Sequence, residues 1–554
     1  MSKRVADLVG RRLVEHGVER VFGVVGSGNF HVTNAMVAAG ARYVAARHEG
    51  GAATMADAFA RMSGSVAALS LHQGCGLTNA MTGITEAAKS RSPLVVLAAE
   101  TAAGATNSNF RIDQAALAHA VGAVPMRVTG AASAAAETDA AYRTARHQRR
   151  TVLLNLPLDI QAAEVADAGG RTAPEASLTP APSLPAPSPA AVAELTERIL
   201  TSERPVLIAG RGARAAGPQL RALGEAAGAL LATSAVAKGL FRGDAWDLDI
   251  SGGFSTPTAA ELIGDADLIV AFGSVLNMWT TRHGRLLGPG AALVQVDLEP
   301  SALASQRPID LGVVGDSALT AAAVTERLAA TAGGHRARYR RPEIGTRLAA
   351  GTAWRDEPYD DWGGDGCIDP RTLTIALDDL LPTERVVAVD SGNFMGYPSM
   401  FLDVPDQDGF CFTQAFQSVG LGLATGIGAA LAQPDRLPIV ATGDGGVLMA
   451  ASELETVVRL GLPMVVVVYD DGGYGAEVHH FGDGAVLDTV TFPPTDHAAI
   501  ARGFGYEAVT VRGSGDLDAV HRWVTGSRDR PLLIDAKVAG PRGSWWLEEA
   551  FRGH

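Results

Sequence analysis

The sequence predicts an α/β protein built from three doubly wound parallel-sheet domains. Short apolar, β-branched runs alternate with stretches of helical spacing through most of the 554 residues, the pattern of parallel sheets covered on both faces. That length suits three domains of ordinary size. Two stretches without apolar periodicity divide the chain. Residues 164–190 are rich in Pro, Ala and Ser, and residues 331–366 are charged and Gly-rich; both read as linkers. The expected domains are 1–165, 190–330 and 367–540, followed by an amphipathic tail, 541–554, that carries Trp545 and Trp546.

In the first domain, Val21–Val25 reads as a strand ending in Gly26-Ser27-Gly28-Asn29. Tyr43–Ala46 reads as a second, ending in Arg47-His48-Glu49 before a helix of small residues. Ala67–Leu71 is a third, followed by His72-Gln73-Gly74-Cys75-Gly76. A carboxylate such as Glu49 at a strand-to-helix junction suits the positive end of a helix. Cys75 reads as structural, because nothing nearby promises a reactive thiolate. In the middle domain, Pro205–Gly210, Leu268–Gly273 and Leu293–Asp297 are strands of another α/β unit.

The third domain holds the most informative stretch. Leu437–Thr442 is an apolar run that stops at Gly443-Asp444-Gly445-Gly446, and Met464–Tyr469 is a second run, too continuous for a half-exposed strand. Between them, Leu448, Met449, Leu454, Val457, Val458 and Leu460 form an apolar stripe, set against Glu453, Glu455 and Arg459. A right-handed crossover puts both strand ends on one sheet edge, so Asp444 and Asp471 should meet there. Two carboxylates beside Gly-rich backbone suit Mg²⁺ shared with a phosphate. An ordinary crossover turn with Asp444 as a helix cap fits the local pattern equally well.

These motifs decide between the two readings, because together they resemble the thiamine diphosphate-dependent enzymes. Gly443-Asp444-Gly445, followed by Asp470-Asp471, is similar to that family's metal signature, although the family often has Asn-Asn at the pair. The resemblance implies that Asp444, Asp471 and the main chain of Gly473 hold Mg²⁺ against the cofactor's diphosphate. Gly443, Gly445, Gly446 and Tyr474 would line the same end, as would Gly392 and Asn393 of the loop Asp390-Ser391-Gly392-Asn393-Phe394. Gln417-Ser418-Val419-Gly420 resembles the turn that bends the cofactor, with Val419 as the wedge and the Gln417 carbonyl on the pyrimidine amino group. Arg47-His48-Glu49-Gly50-Gly51 resembles the family's glutamate motif, which implies that Glu49 bonds the aminopyrimidine and assists in removing the thiazolium proton.

Within the family the chain is most similar to acetolactate synthases and 2-oxo acid decarboxylases. His72 and Ser27 match a proton-transferring histidine and a substrate-contacting serine of benzoylformate decarboxylase. Glu477 stands at the offset from Asp471 where pyruvate decarboxylase has an active-site glutamate, and His480 shares its helix face. A solvated Glu/His face is the alternative there. Arg111 replaces a Gln of the acetolactate synthase motif and reads as a surface or interface residue, or as a cation for a substrate carboxylate. The stretches where those synthases hold FAD, Ser251–Ser255 and Gly273–Asn277, match too poorly to imply it. The resemblance implies decarboxylation of a 2-oxo acid, with release of an aldehyde or ligation to a second carbonyl compound. It also implies a homodimer or homotetramer with active sites between subunits. A non-catalytic, regulatory homologue is the alternative.

A net charge of -14 and a pI near 5.4 exclude a basic nucleic-acid surface or membrane patch. Cys75, Cys367 and Cys411 are too few for a disulfide framework, which points to a reducing compartment. The first residues read as an amphipathic helix, and no apolar run reaches the roughly 20 residues that span a bilayer. The expected location is cytoplasmic.

Overall fold

The computed structural model describes residues 4–165, 183–331, 338–482, 486–540 and 544–547. Three six-stranded, wholly parallel sheets follow one another along the chain. The first comprises β1 (Arg20–Gly23), β2 (Arg42–Ala45), β3 (Ala67–Leu71), β4 (Leu94–Glu100), β5 (Val124–Arg127) and β6 (Thr151–Pro157). The second comprises β7 (Pro205–Ala209), β8 (Leu230–Thr233), β9 (Asp247–Ile250), β10 (Leu268–Phe272), β11 (Ala292–Asp297) and β12 (Leu311–Val314). The third comprises β13 (Arg385–Val389), β14 (Phe410–Phe412), β15 (Leu437–Gly443), β16 (Val465–Asp470), β17 (Glu507–Val511) and β18 (Leu532–Lys537). The central strands are buried along almost their whole length because helices cover both faces. None of the described helices is long and apolar enough to cross a membrane.

The strand orders say where ligands belong. The second sheet runs β12-β11-β10-β7-β8-β9, the 3-2-1-4-5-6 order of doubly wound folds. The first, β2-β1-β3-β4-β6-β5, and the third, β14-β13-β15-β16-β18-β17, share a different order. Each reverses direction next to its first strand, and such a reversal opens a crevice at the strands' carboxyl ends. In the first sheet the crevice lies between the turns after β1 and β3, which carry Ser27 and His72. In the third it lies between the turns after β13 and β15, which carry Asn393 and Asp444.

The first and third sheets share a core. The helix Glu49–Ser63 packs on Gly422–Ala432, with Ala52, Met55 and Ala56 in one apolar cluster with Leu423 and Ile427. Inside this contact Arg61 is bound 2.5 Å from Asp57 and 2.6 Å from Glu86, both carboxylates fully buried. Lys238 joins the second domain to the third by donating to the carbonyls of Ser399 and Leu402 at 2.5 and 2.8 Å.

Three expectations change, concerning the stretch 331–366, the crossover helix and Cys75. The stretch 331–366 is not all linker: it contains the helix Pro342–Ala349, Tyr339 is buried with its hydroxyl on the Leu262 carbonyl at 2.7 Å, and the Trp354 indole donates to Phe254 O at 2.7 Å. Isolated apolar anchors among charges show no periodicity, so the pattern concealed them. Of 164–190, residues 166–182 lie outside the described residues, and a helix starts at Pro189. The crossover after Asp444 is two helices, Asp444–Met449 and Glu453–Arg459, not one. That break turns Leu448 and Met449 outward, 45% and 58% exposed, while Glu453 is 1% exposed. Cys75, read as structural, is exposed at the start of the helix Cys75–Lys89. Only 544–547 of the tail is described; there Trp546 is buried and donates to the Asn393 carbonyl at 3.1 Å.

Candidate active site

β15 and β16 are paired with Gly443 opposite Tyr469, so Asp444 and Asp471 leave the same sheet edge as neighbours. Burial raises both carboxylates, Asp444 to about 6 and Asp471 to about 7. Repulsion from Asp470 adds to each, and the charge of Asp444 adds to Asp471. Asn393 donates its amide to Asp471 Oδ2 at 3.1 Å, while its own Oδ1 is buried without a partner. A Cβ at Gly475 would collide with Asp471 Oδ2, so the glycine lets backbone approach the acidic pair closely. Gly473 bridges to Thr491, and the Tyr474 ring lies against Gly445 and edge-on to Phe492 at 4.9 Å. Two adjacent carboxylates and an unpartnered amide oxygen fit a hard, oxygen-seeking cation. Gly392, with Asn393, and the Gly443–Gly446 turn form the rest of this end. Glu477 and His480 share the helix Gly475–Phe481 beyond it, Glu477 exposed and the His480 ring 4.5 Å from Phe481.

The turn bearing Gln417 and Val419 is fixed by Asp390, which the sequence placed in the Asp390–Phe394 loop but gave no part in this turn. Asp390 is fully buried, and its Oδ1 accepts from the N–H groups of Ser391 at 2.8 Å, Gly420 at 3.0 Å and Leu421 at 3.1 Å. Its Oδ2 accepts from the Thr442 hydroxyl at 3.0 Å, which ties the turn to β15. Glu86 holds the approach to the turn through Ala415 N at 3.1 Å and Phe416 N at 2.6 Å. Gln417 has φ +63, rare for a side-chain-bearing residue, and Val419 is 39% exposed at the tip.

On the first sheet, Ser27 Oγ lies 3.5 Å from His72 Nε2, and the Phe110 ring stands edge-on to His72 at 5.0 Å. His72 Nδ1 is 3.0 Å from the Gln73 carbonyl. A carbonyl only accepts, so in the neutral ring Nδ1 carries the hydrogen and Nε2 faces Ser27 with a lone pair. Glu49 opens its helix and accepts from Asn79 Nδ2 at 3.0 Å through Oε2. The segment just before it is anchored elsewhere: Arg47 N and His48 N donate to Glu453 Oε1 at 3.0 and 2.9 Å. The fold thus brings Ser27 to His72 and Asp444 to Asp471, while the hydrogen bond of Glu49 goes to Asn79 and not to the acidic pair. Arg111 is exposed and close enough to Glu100 to favour its ionised form.

Comparison with known families identifies the domains that carry these clusters. Residues 3–120 match the N-terminal TPP binding domain of the thiamine pyrophosphate enzymes, 192–324 the central domain and 390–536 the C-terminal TPP binding domain. The chain belongs to the thiamine pyrophosphate enzymes. Thiamine pyrophosphate is the same compound as thiamine diphosphate. The probable 2-ketoarginine decarboxylase of Pseudomonas aeruginosa is 29% identical over 92% of this chain and 89% of its own. The acetolactate synthase large subunit of Parasynechococcus marenigrum is 27% identical over 95% and 86%. A solved structure, the thiamine diphosphate-dependent 4-hydroxybenzoylformate decarboxylase of Rhodococcus jostii RHA1, superposes with a TM-score of 0.81 over 98% of this chain and 100% of that one. At 22% identity that likeness establishes the fold. The protein is therefore a thiamine diphosphate-dependent enzyme of the decarboxylase and acetolactate synthase type, with three parallel-sheet domains.

Proposed function

We propose that the protein decarboxylates a 2-oxo acid with thiamine diphosphate and Mg²⁺, and releases the product as an aldehyde. The observation that carries the aldehyde reading is the Ser27–His72 pair at 3.5 Å, flanked by Phe110. Thiamine diphosphate, when bound, supplies the nucleophilic carbon and the electron sink that loss of CO₂ requires. Asp444, Asp471 and the main chain of Gly473 would hold Mg²⁺, with Asn393 and the Gly443–Gly446 backbone beside the diphosphate. Glu49 keeps Oε2 on Asn79, which leaves Oε1 for a ring nitrogen. Val419 would press between the cofactor's two rings, with its turn braced by Asp390. His72 in its protonated form donates from both nitrogens, so it can hold a proton at Nε2 and deliver it across the Ser27 side. The Phe110 ring stands edge-on beside His72. Glu477 and His480 lie beyond the acidic pair as a second proton source.

Ligation to a second carbonyl compound is the other reading, favoured by the acetolactate synthase relative. Glu49, Asp444 and Asp471 are all present, which counts against a non-catalytic homologue. The reading includes a second copy, whose Glu49 would serve the acidic pair of the first. Val25, Phe30 and Phe110 are exposed on the His72 edge, and Val419, Leu448, Met449 and Tyr474 on the Asp444 edge. Apolar surface of this kind is suited to burial between copies. A dimer or tetramer would join the two edges, and light scattering of the purified protein checks it.

The test is a panel of 2-oxo acids with Mg²⁺ and thiamine diphosphate, with and without an acceptor aldehyde. CO₂ release with free aldehyde as the main product supports the decarboxylase. A ligated main product supports the synthase reading, and cofactor binding without CO₂ from any substrate refutes both.

A further inference from the structure

The turn that carries Asp471 is held from behind by a buried charge cluster that the reaction above does not use. Asp470 ends β16, and its two carboxylate oxygens have separate partners. Oδ1 accepts from Gly472 N at 3.1 Å, closing the turn across Asp471, and Gly472 itself has φ +79. Oδ2 is paired with Lys537 Nζ. Lys537 also donates to the Thr495 carbonyl at 2.9 Å and lies 2.9 Å from Asp535 Oδ1. His497, 2% exposed, has Nε2 3.6 Å from Asp470 Oδ2 and no hydrogen bond at either ring nitrogen. The ligand atoms of Asp470, His497 and Asp535 lie within 4.8 Å of one another, a set able to hold a metal ion. The ammonium of Lys537 already pairs with both carboxylates, so a fixed cation of the chain has that place.

We propose that Lys537 and Asp470 form a positioning pair that sets the Asp471–Gly473 turn for the divalent cation. The inference rests on the reading that Asp444 and Asp471 hold that cation. It also accounts for a carboxylate at position 470. An amide there would keep the turn contact to Gly472 through its oxygen but would lose the ion pair that fixes the turn to β18. Partners of this kind, one shell behind a metal ligand, orient the ligand without touching the ion.

The test is calorimetric titration of Mg²⁺ into the full-length protein at saturating thiamine diphosphate, with thermal unfolding as the check on folding. Asp470→Asn and Lys537→Met should each weaken Mg²⁺ binding roughly 10- to 100-fold. Lys537→Gln, which still donates hydrogen bonds, should lose less. A pure charge effect predicts the opposite for Lys537→Met, because removal of a nearby positive charge tightens cation binding. Tighter binding in Lys537→Met, or unchanged binding in Asp470→Asn, overturns the proposal. If Lys537→Met does not fold, Asp470→Asn and Lys537→Gln decide it by the same criteria. Wild-type protein that binds the cofactor without regard to Mg²⁺ would bring down the metal reading and this proposal together. Wild-type Mg²⁺ dependence with unaltered variants would bring down this proposal alone.

Discussion

Divalent-cation affinity of the cofactor-free protein should climb steeply between pH 6 and pH 8. In the metal-free pocket Asp444 is raised to about 6 and Asp471 to about 7, chiefly by burial, with like charge added. A cation binds the ionised pair, so every proton that must leave weakens the apparent affinity. At pH 8 both groups are almost fully ionised. At pH 6 Asp444 is half protonated and Asp471 mostly so. The two occupancies multiply to an affinity roughly 20-fold weaker at pH 6 than at pH 8. The sign for stability follows. Both folded values lie above the ordinary carboxylate range near 4, so the metal-free fold holds its full contribution below that range. It loses the contribution as pH rises through 6 and 7. The cation restores what is lost, so the rise in unfolding temperature on adding metal should be larger at pH 8 than at pH 6. Mn²⁺, another oxygen-seeking octahedral ion, permits direct titration by electron paramagnetic resonance. Asp444→Asn should weaken binding and flatten the profile, because one titrating group and its repulsion on Asp471 are gone. A wild-type affinity that is flat across this range would refute the pairing of the two carboxylates around one cation.

Glu49→Gln should leave the fold intact and slow hydrogen–deuterium exchange at the thiazolium carbon by roughly 10²-fold or more, the scale of a positioned acid–base group; an unchanged rate in quenched NMR would return Glu49 to a helix-end role. His72→Ala should lower total turnover and raise the ratio of ligated product to aldehyde at fixed acceptor, and Glu477→Gln should do the same more weakly; loss of both products in equal proportion by chromatography would remove these side chains from the product branch. Arg61→Met leaves Asp57 and Glu86 buried without their cation, so stability should fall by roughly 3–5 kcal/mol, read as a lower thermal midpoint at unchanged pH.

The parts of the site legible in the sequence were those that short turns create. Asp444, Asp471, Ser27 and His72 each follow an apolar run directly, so alternation of strand and helix was enough to put them at sheet edges. Residues that act across long separations left no such trace. Asp390 braces the Gln417–Gly420 turn, but in the sequence it only opens the loop after a strand, with nothing to tie it to residues 30 positions on. Glu453 sat on the expected polar face of a helix, because nothing in 450–452 announced the break that turns it inward to Arg47 and His48. The same break exposes Leu448 and Met449, which helical spacing had assigned to the packed stripe. Trp546 showed only as part of an amphipathic tail, while its burial against Tyr397 and its bond to Asn393 depend on distant chain.

Strand order gives a reason for the site's position that owes nothing to relatives. In the first and third sheets alike, the direction of winding reverses beside the first strand, so each opens one crevice at the carboxyl ends of its strands. Every candidate group occupies one of those two crevices or the turn next to it. Ser27 and His72 flank the first; Asn393, Asp444 and Asp471 flank the second. The helix Glu49–Ser63, which packs against Gly422–Ala432, fixes the spacing between the crevices within the chain. The Arg61–Asp57–Glu86 cluster reinforces that contact, and Glu86 extends it to the backbone of Phe416, one residue before the Gln417 turn. The buried ionic core of one domain therefore braces the approach to the Gln417–Gly420 turn in another. A substitution at Arg61 should for that reason lower cofactor affinity as well as stability.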